Sequence, residues 1–402
     1  MARRNKRLSF GPGFLVTAAF IGPGTITTCS LAGADLGYAL IYVLVFAVAT
    51  TIILQEMTGR LSLASGEDLG QSLRHLSAKP LWRILVAILT LSSITLGCAA
   101  YEAGNIIGGS LGLEMVSSIP HKIWVVLISA GAVFLLSRRT YRLIERFLVV
   151  LVCLMSLSFL TTAIIARPDG LSLLRGFIPS LPNNSIYLAL GLIGTTVVPY
   201  NLFLHSAAVK QKWNSPENLP DVRKDLLLSI ALGGVISVSV VITSAVAFFG
   251  QGTSLQNGAQ MAQQLRPLFG PLATLLFGVG FFAAGMSSAV TAPYAAAFAS
   301  SGILGWKDGP NSRGFRAVWL GVILVGLLIS LFNLSPIAVI VFAQAANGLI
   351  LPVASVFLLI VLNNRKRMGS YTNTWRQNIL GGLAIVLVSF LGIWNILRLF
   401  LK

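Results

Sequence analysis

Apolar runs long enough to cross a bilayer recur along the whole of this 402-residue chain. A membrane span needs about 20 predominantly apolar residues. Eleven runs meet that length or approach it, at 12–38, 40–60, 83–113, 122–137, 147–166, 186–209, 226–249, 270–303, 315–332, 336–362 and 379–400. A soluble fold cannot hide so much apolar surface. Lipid offers no hydrogen bonds, so each run must satisfy its own backbone, which a helix does. Strands of a membrane barrel would instead alternate polar and apolar residues. The expected fold class is an all-α polytopic membrane protein with about eleven transmembrane helices.

Charge is scarce but one-sided. Only 10% of residues are charged, yet the net charge is +17, from 29 Lys and Arg against 12 Asp and Glu. A nucleic-acid binder carries its basic residues on a polar surface; here they sit between apolar runs, so no nucleic-acid partner is expected. Cys29, Cys98 and Cys153 all fall in apolar runs without metal-site spacing and are expected to be buried thiols. Arg3, Arg4, Lys6 and Arg7 precede the first run, and no small-residue cleavage site follows it. The first run therefore reads as a retained span rather than a signal peptide. With a cytoplasmic N-terminus, only Lys122, Arg167, Arg175, Arg266, Arg398 and Lys402, six of the 29, fall on the outer side. That asymmetry is the positive-inside pattern. It implies a cytoplasmic N-terminus and an outer C-terminus; the membrane is expected to be a bacterial plasma membrane.

Two spans carry a proline at mid-depth, where it frees backbone groups that need partners. The first reads Ala19-Phe20-Ile21-Gly22-Pro23-Gly24-Thr25, and the sixth reads Thr195-Thr196-Val197-Val198-Pro199-Tyr200-Asn201. In each, a hydroxyl or amide side chain stands two residues after the proline. Five spans separate the breaks, an odd number, so spans one to five and six to ten would be oppositely oriented halves. Inverted halves that each open with a broken helix are the pattern of secondary transporters, with the substrate site between the breaks. The halves would be about 12–166 and 186–362, with 379–400 as an extra helix, all forming a single transmembrane domain.

The residues around these breaks resemble those of the Nramp family of metal-ion transporters across essentially all eleven spans. The resemblance is carried by Gly11-Pro12-Gly13-Phe14-Leu15-Val16, by Leu31-Ala32-Gly33-Ala34-Asp35-Leu36-Gly37-Tyr38 and by Gly66-Glu67-Asp68-Leu69. It is strongest from Tyr187 to Gly194 and from Pro199 to Ala207, and Ala284-Gly285-Met286-Ser287-Ser288 also fits. The resemblance implies a LeuT-like 5+5 inverted repeat with helices 1 and 6 broken, working by alternating access on a small-ion substrate. The sequence holds no nucleophile–base set or metal-ligand cluster, so no enzymatic activity and no cofactor are expected, and a monomer is expected.

The same resemblance exposes a departure. The family's first break normally reads Asp-Pro-Gly-Asn, with Asp and Asn as ligands; here those positions are Gly22 and Thr25. The sixth normally offers a Met thioether before its Pro, a backbone carbonyl three residues earlier and a His after the Pro. Here these are Val198, Thr195 and Tyr200. Thr25, the Thr195 carbonyl and Gln344 in span ten remain as weak metal ligands. Moving one unit charge into low dielectric costs on the order of 20 kcal/mol in the Born limit. The cost grows with the square of the charge, so a bare divalent ion needs anionic ligands. Losing the soft sulfur also removes the preference for transition metals. A hard cation such as Mg²⁺, which keeps much of its water, is the first reading. A small anion or zwitterion such as an amino acid, held at the half-helix N-terminus after Gly22, is the second. A non-transporting membrane sensor is the third, although no connection here exceeds about 25 residues.

Other polar residues at membrane depth complete the candidate set. Glu102 in span three is the deepest acid, and an intramembrane carboxylate is a functional candidate. Family members carry two acids one turn apart on this span, in the proton route; here they correspond to Glu102 and Asn105. Glu102 could carry a proton, attract a cation, or simply be a hydrogen-bonded structural group. His205, in the inner half of span six, could titrate near neutrality or be a satisfied core residue. With Asn105 and Tyr200 in place of titratable groups, weak or absent proton coupling is expected. Asn347 follows Gln344 by three residues, so both are expected on one face of span ten, lining a polar, uncharged pathway with Thr25, Thr28 and Ser30. Glu56 is expected to be a solvated or ion-paired end residue, and Glu145 to pair with Arg142 or Arg146.

Overall fold

A computed structural model describes residues 11–400 except 77, 78, 118, 139–141, 184, 214, 253 and 254. Arg3, Arg4, Lys6, Arg7, Arg139 and Lys402 from the charge count lie outside the described residues, as do the side chains of Arg142, Glu145 and Arg398. The described residues form helices and connections, with no strand among them.

The chain opens with α1 (Pro12–Phe20) and α2 (Pro23–Leu36), one span bent by 57° at its break. Then come α3 (Ile41–Ser65), α4 (Leu69–Arg74), α5 (Pro80–Glu114), α6 (His121–Ser137), α7 (Arg142–Ile165) and α8 (Gly170–Arg175). The second broken span follows as α9 (Ile186–Thr196) and α10 (Pro199–Lys212). After it run α11 (Leu219–Phe248), the short α12 (Gly258–Ala262) and α13 (Arg266–Phe269), then α14 (Ala273–Leu304), α15 (Arg313–Leu331) and α16 (Pro336–Leu362). The chain closes with α17 (Arg365–Met368) and α18 (Trp375–Phe400). Among the described residues, eight helices or helix pairs are long and apolar enough to cross a membrane, and two further bent pairs pass the same test together. The remaining expected span, 122–137, is the 17-residue α6, about 26 Å long at 1.5 Å per residue.

Local chemistry sets the helix ends. Proline occupies the first turn of α1, α2, α5, α10 and α16, where its missing N–H costs nothing. Gly66 ends α3 at φ 68°, a left-handed conformation that suits glycine. Asp68 then caps α4, accepting from the Gln71 N–H at 2.9 Å, while the Gln71 side chain accepts from the Asp68 N–H at 3.3 Å. Burial holds the Asp68 carboxyl above the usual carboxylate range, against the opposing pull of these hydrogen bonds and Lys210.

The helices sort into a central group and a ring. Helices α2, α9 and α10 are buried along most of their length. Around them, α6, α7, α15 and α18 turn large apolar side chains outward, among them Phe134, Leu154, Leu328 and Phe390. Such faces belong against lipid. This arrangement corrects one expectation: Cys29 and Cys98 are buried, but Cys153 is exposed. In α7, Val152, Met155 and Phe159 turn toward the bundle, which leaves Cys153 on the outer flank with Val150 and Leu154. Helices α5 and α14 approach closely because Gly109 faces Gly285, where an added Cβ would sit 2.4 Å from the Gly109 nitrogen.

One end of the bundle is knit by charge. Glu56 pairs with Arg60 at 3.3 Å and with Arg223 of α11 at 2.7 Å, an ion-paired end residue as expected. Arg60 also donates to the Tyr371 carbonyl and to Asn373 at 2.7 Å. Arg367 pairs with Glu67 at 3.2 Å and donates to the His75 carbonyl. At the same end the Gly13 N–H at the start of α1 donates to Asp225 at 2.7 Å. These contacts join connections that the charge asymmetry assigns to one side of the membrane.

Candidate functional site

The two breaks have the same backbone form. Ile21 lies at φ −80°, ψ 79° and Val197 at φ −96°, ψ 75°, each the residue after a helix end. Each is followed by one extended residue, Gly22 or Val198, and then by the proline that opens the next helix. Such breaks strand backbone carbonyls in a medium without water. Side chains collect them. Thr25 Oγ1 donates to the Phe20 carbonyl. Thr51 Oγ1 of α3, which lies 2.8 Å from its own helix's Ala47 carbonyl, shares its proton with the Thr196 carbonyl at 3.2 Å. Tyr101 Oη of α5 donates to the Gly194 carbonyl at 3.1 Å.

The breaks meet through Thr25 and Thr195, whose Oγ1 atoms lie 2.7 Å apart. A hydroxyl has one proton. Thr25 gives its proton to Phe20, so Thr195 is the donor across the pair. The bridge is thus a chain of three oxygens running from one half of the molecule to the other, entirely buried.

Gln344 of α16 closes over this chain. Its Nε2 donates to the Ile340 carbonyl at 3.3 Å, and its Oε1 has no partner among the described residues. Two glycines admit it. A Cβ on Gly24 would sit 2.2 Å from Gln344 Nε2, and one on Gly194 would sit 1.9 Å from the Gln344 carbonyl oxygen. Ser288 of α14 approaches the first break in the same way, 2.9 Å from where a Gly22 Cβ would stand.

The other expected residues divide. Asn347 stands on the same side of α16 as Gln344: its Oδ1 faces Gly97 of α5, and Gln344 Nε2 lies 4.0 Å from where a Gly104 Cβ of α5 would stand. Three residues advance a helix by about 300°, which is about 60° short of a full turn and keeps both amides on one face. Val198 contributes backbone, its carbonyl accepting from the Asn201 N–H at 3.1 Å. Tyr200 turns toward α5, edge-on to Tyr101 at 5.8 Å between ring centres. Glu102 lies outside the site, its stem against Gly326 of α15 and Asn105 beside it. Both Glu102 oxygens are buried without a partner among the described residues. His205 Nδ1 lies 3.0 Å from Thr58 Oγ1 of α3, one element away from the bridge. Ser30 accepts from Gln264 at 2.9 Å, nearer the far end of α2.

Sequence reasoning missed Tyr101 and Asn201 as site residues. Asn201 is buried with neither amide atom partnered among the described residues, at the position after Pro199 that Thr25 holds after Pro23. That equivalence was present in the two break motifs. Tyr101 adjoins Glu102 in sequence and carries no local signal of its own. Among the described residues, no group of three or more His, Cys, Asp and Glu side chains gathers as a metal cluster. The site is a neutral set of hydroxyl and amide oxygens.

Two helices broken at matched prolines, back to back at the centre of a membrane-spanning bundle, define a transporter of LeuT-like fold. The chain belongs to the Nramp family, described as natural resistance-associated macrophage protein-like, which it matches over residues 13–398. It is 30% identical to the divalent metal cation transporter MntH of Staphylococcus aureus, over 99% of this chain and 93% of that protein. A Brucella suis protein of the same name is also 30% identical, over 90% of this chain and 81% of its own. Among solved structures, the fold matches the Eremococcus coleocola manganese transporter at a TM-score of 0.79 and 21% identity, covering 96% of this chain and 85% of that one.

Proposed function

We propose that this protein is a secondary transporter that moves a hard divalent cation such as Mg²⁺ by alternating access, with little or no proton coupling. One observation carries the reading: where the two breaks meet stand Thr25, Thr195 and the free Gln344 Oε1, with no carboxylate or sulfur among them. A neutral oxygen set cannot repay the full dehydration of a divalent ion. It suits an ion that keeps part of its water and is gripped through it, as Mg²⁺ is. The absence of a soft ligand argues against a preference for Mn²⁺, the metal in the name of the structural neighbour. Asn105 and Tyr200 hold places that are titratable in relatives, and His205 faces α3 rather than the bridge, which supports uncoupled transport.

In this reading residues 12–166 and 186–362 are the two rocking halves, and α18 is peripheral. The charged end joined by Glu56, Arg223 and Arg367 faces the cytoplasm of a bacterial cell, and the protein works as a monomer.

A second reading, a zwitterion such as an amino acid, draws support from the start of α2. The Gly24 and Thr25 N–H groups lie in its first turn, where helix geometry leaves N–H groups unpaired and the dipole favours a carboxylate. The test is uptake by the purified protein in liposomes that hold a Mg²⁺ dye and a pH dye. Saturable Mg²⁺ entry, faster than Mn²⁺ entry and without substrate-dependent acidification, is expected. Amino-acid uptake with no divalent flux would replace the first reading with the second.

A further inference from the structure

The site between the breaks lacks a carboxylate, but the path toward it does not. A vestibule of about 610 Å³ opens between α2, α9 and α16, at the end opposite the charged network. Its floor is formed by Leu31, Leu188 and Val341. Each floor residue lies one turn or less above a contact that seals the passage: Thr28 Cγ2 stands 2.9 Å from where a Gly191 Cβ would be, and Val341 Cγ1 stands 3.8 Å from it. One further turn down the same three helices are Thr25, Thr195 and Gln344. Leu31 and Thr25 are six residues apart, about 9 Å at the helical rise. The vestibule is thus in line with the bridge, separated from it by one constriction. The Thr28 hydroxyl at that constriction is buried without a partner among the described residues.

Among the described residues lining the vestibule, Asp35 is the acidic one and none is basic. It lies in the last turn of α2, which also carries no basic residue. The C-terminal end of a helix bears partial negative charge, so carboxylate and dipole add. Gln256, Ser335 and Tyr187 supply further oxygens around the same space. These groups make a negative, oxygen-lined basin above a neutral binding site.

We propose that Asp35 and this vestibule form a recruitment site that holds a hydrated divalent cation before it passes the Thr28 constriction. The assignment rests on the cation reading of the site below. A neutral site attracts cations weakly, and a cleft of one sign raises the local ion concentration by tenfold or more. Contact through retained water suits one carboxylate, which is too little charge to strip the ion.

The test measures Mg²⁺ uptake into liposomes and Mg²⁺ binding by calorimetry, for the wild type, Asp35→Asn and Asp35→Glu. Asp35→Asn is expected to raise KM about tenfold with maximal rate within about twofold, and to flatten the dependence of KM on ionic strength. Asp35→Glu is expected to restore both. A KM for Asp35→Asn within twofold of wild type, with the same salt dependence, overturns the inference while leaving the cation reading intact. Mg²⁺ binding that depends on Asp35 in a protein showing no Mg²⁺ flux supports the inference and overturns the transport reading. Binding that Asp35→Asn leaves unchanged in such a protein overturns both.

Discussion

The two breaks share a backbone and differ in what their side chains permit. The first is lined by glycine, at Gly22 and Gly24, and neighbouring helices reach into it through Ser288 and Gln344. The second carries the bulkier Val198 and Tyr200, both buried, with Tyr200 edge-on to Tyr101 of α5. Both halves admit Gln344, the first at Gly24 and the second at Gly194, but at the residue before the proline the first carries Gly22 and the second the bulkier Val198. The halves meet at the hydroxyl pair Thr25–Thr195. The fold thus fixes where a substrate sits, and the side chains at the breaks fix what it can be.

The most severe way to disturb this contrast is a Cβ in the second half. Gly194→Val would drive into the Gln344 backbone oxygen, which cannot move aside as a side-chain tip can. Loss of the monodisperse folded protein in size-exclusion chromatography is expected. Gly22→Ala meets the movable Ser288 hydroxyl instead, so folded yield within about twofold of wild type is expected.

The contrast sharpens in the other direction when the missing ligands are supplied. Gly22→Asp, Thr25→Asn and Val198→Met together place an anionic oxygen, an amide and a thioether around the breaks. Mn²⁺ uptake at least tenfold above wild type is expected, since soft and charged ligands repay dehydration that neutral oxygens do not. A triple variant that folds but leaves Mn²⁺ flux unchanged would show that the scaffold does not act on metals.

Away from the breaks, the charged end sets how firmly the halves are joined. Arg60 is buried, and its removal leaves Glu56, the Tyr371 carbonyl and Asn373 short of a donor. Glu56 keeps its pair with Arg223, so Arg60→Met is expected to cost about 1–3 kcal/mol, read as a lowered Tm in detergent.

The smallest effect is expected at Asp68. Its folded pKa is raised by burial, so the stability linked to its proton is complete below the ordinary carboxylate pKa and is lost as pH rises through the raised value. Asp68→Asn keeps a capping side chain and removes this loss. The variant should therefore gain Tm relative to wild type as pH rises from about 4, the ordinary carboxylate pKa, through the raised value. A difference in Tm that stays constant across that range would contradict the assignment.

The spans were legible because length and apolar content decide membrane crossing, and the breaks because proline cannot continue a helix. Thr25 was legible from its spacing to Pro23; Thr195 was named from the family resemblance for its carbonyl, whereas its hydroxyl makes the bridge. Cys153 was misplaced because α7 is apolar on both faces, so its sequence does not distinguish bundle from lipid. The contact of Gln344 with Gly24 and the role of Tyr101 depend on which helices adjoin α16 and α5. No local pattern encodes that choice. Asp35 drew no notice in the sequence because its importance comes from the vestibule that three distant segments build around it.

The central claim is that the bridge of neutral oxygens between the breaks is the place where the substrate cation is held. Thr→Val keeps the shape of the side chain and deletes its hydroxyl. The most direct measurement is Mg²⁺ uptake into liposomes by the Thr25→Val, Thr195→Val double variant, compared with wild type at equal amounts of folded protein. A fall of at least tenfold in uptake, about 1.4 kcal/mol, is expected with Tm lowered by no more than a few degrees. Mg²⁺ uptake at the wild-type rate by the folded double variant would contradict the account.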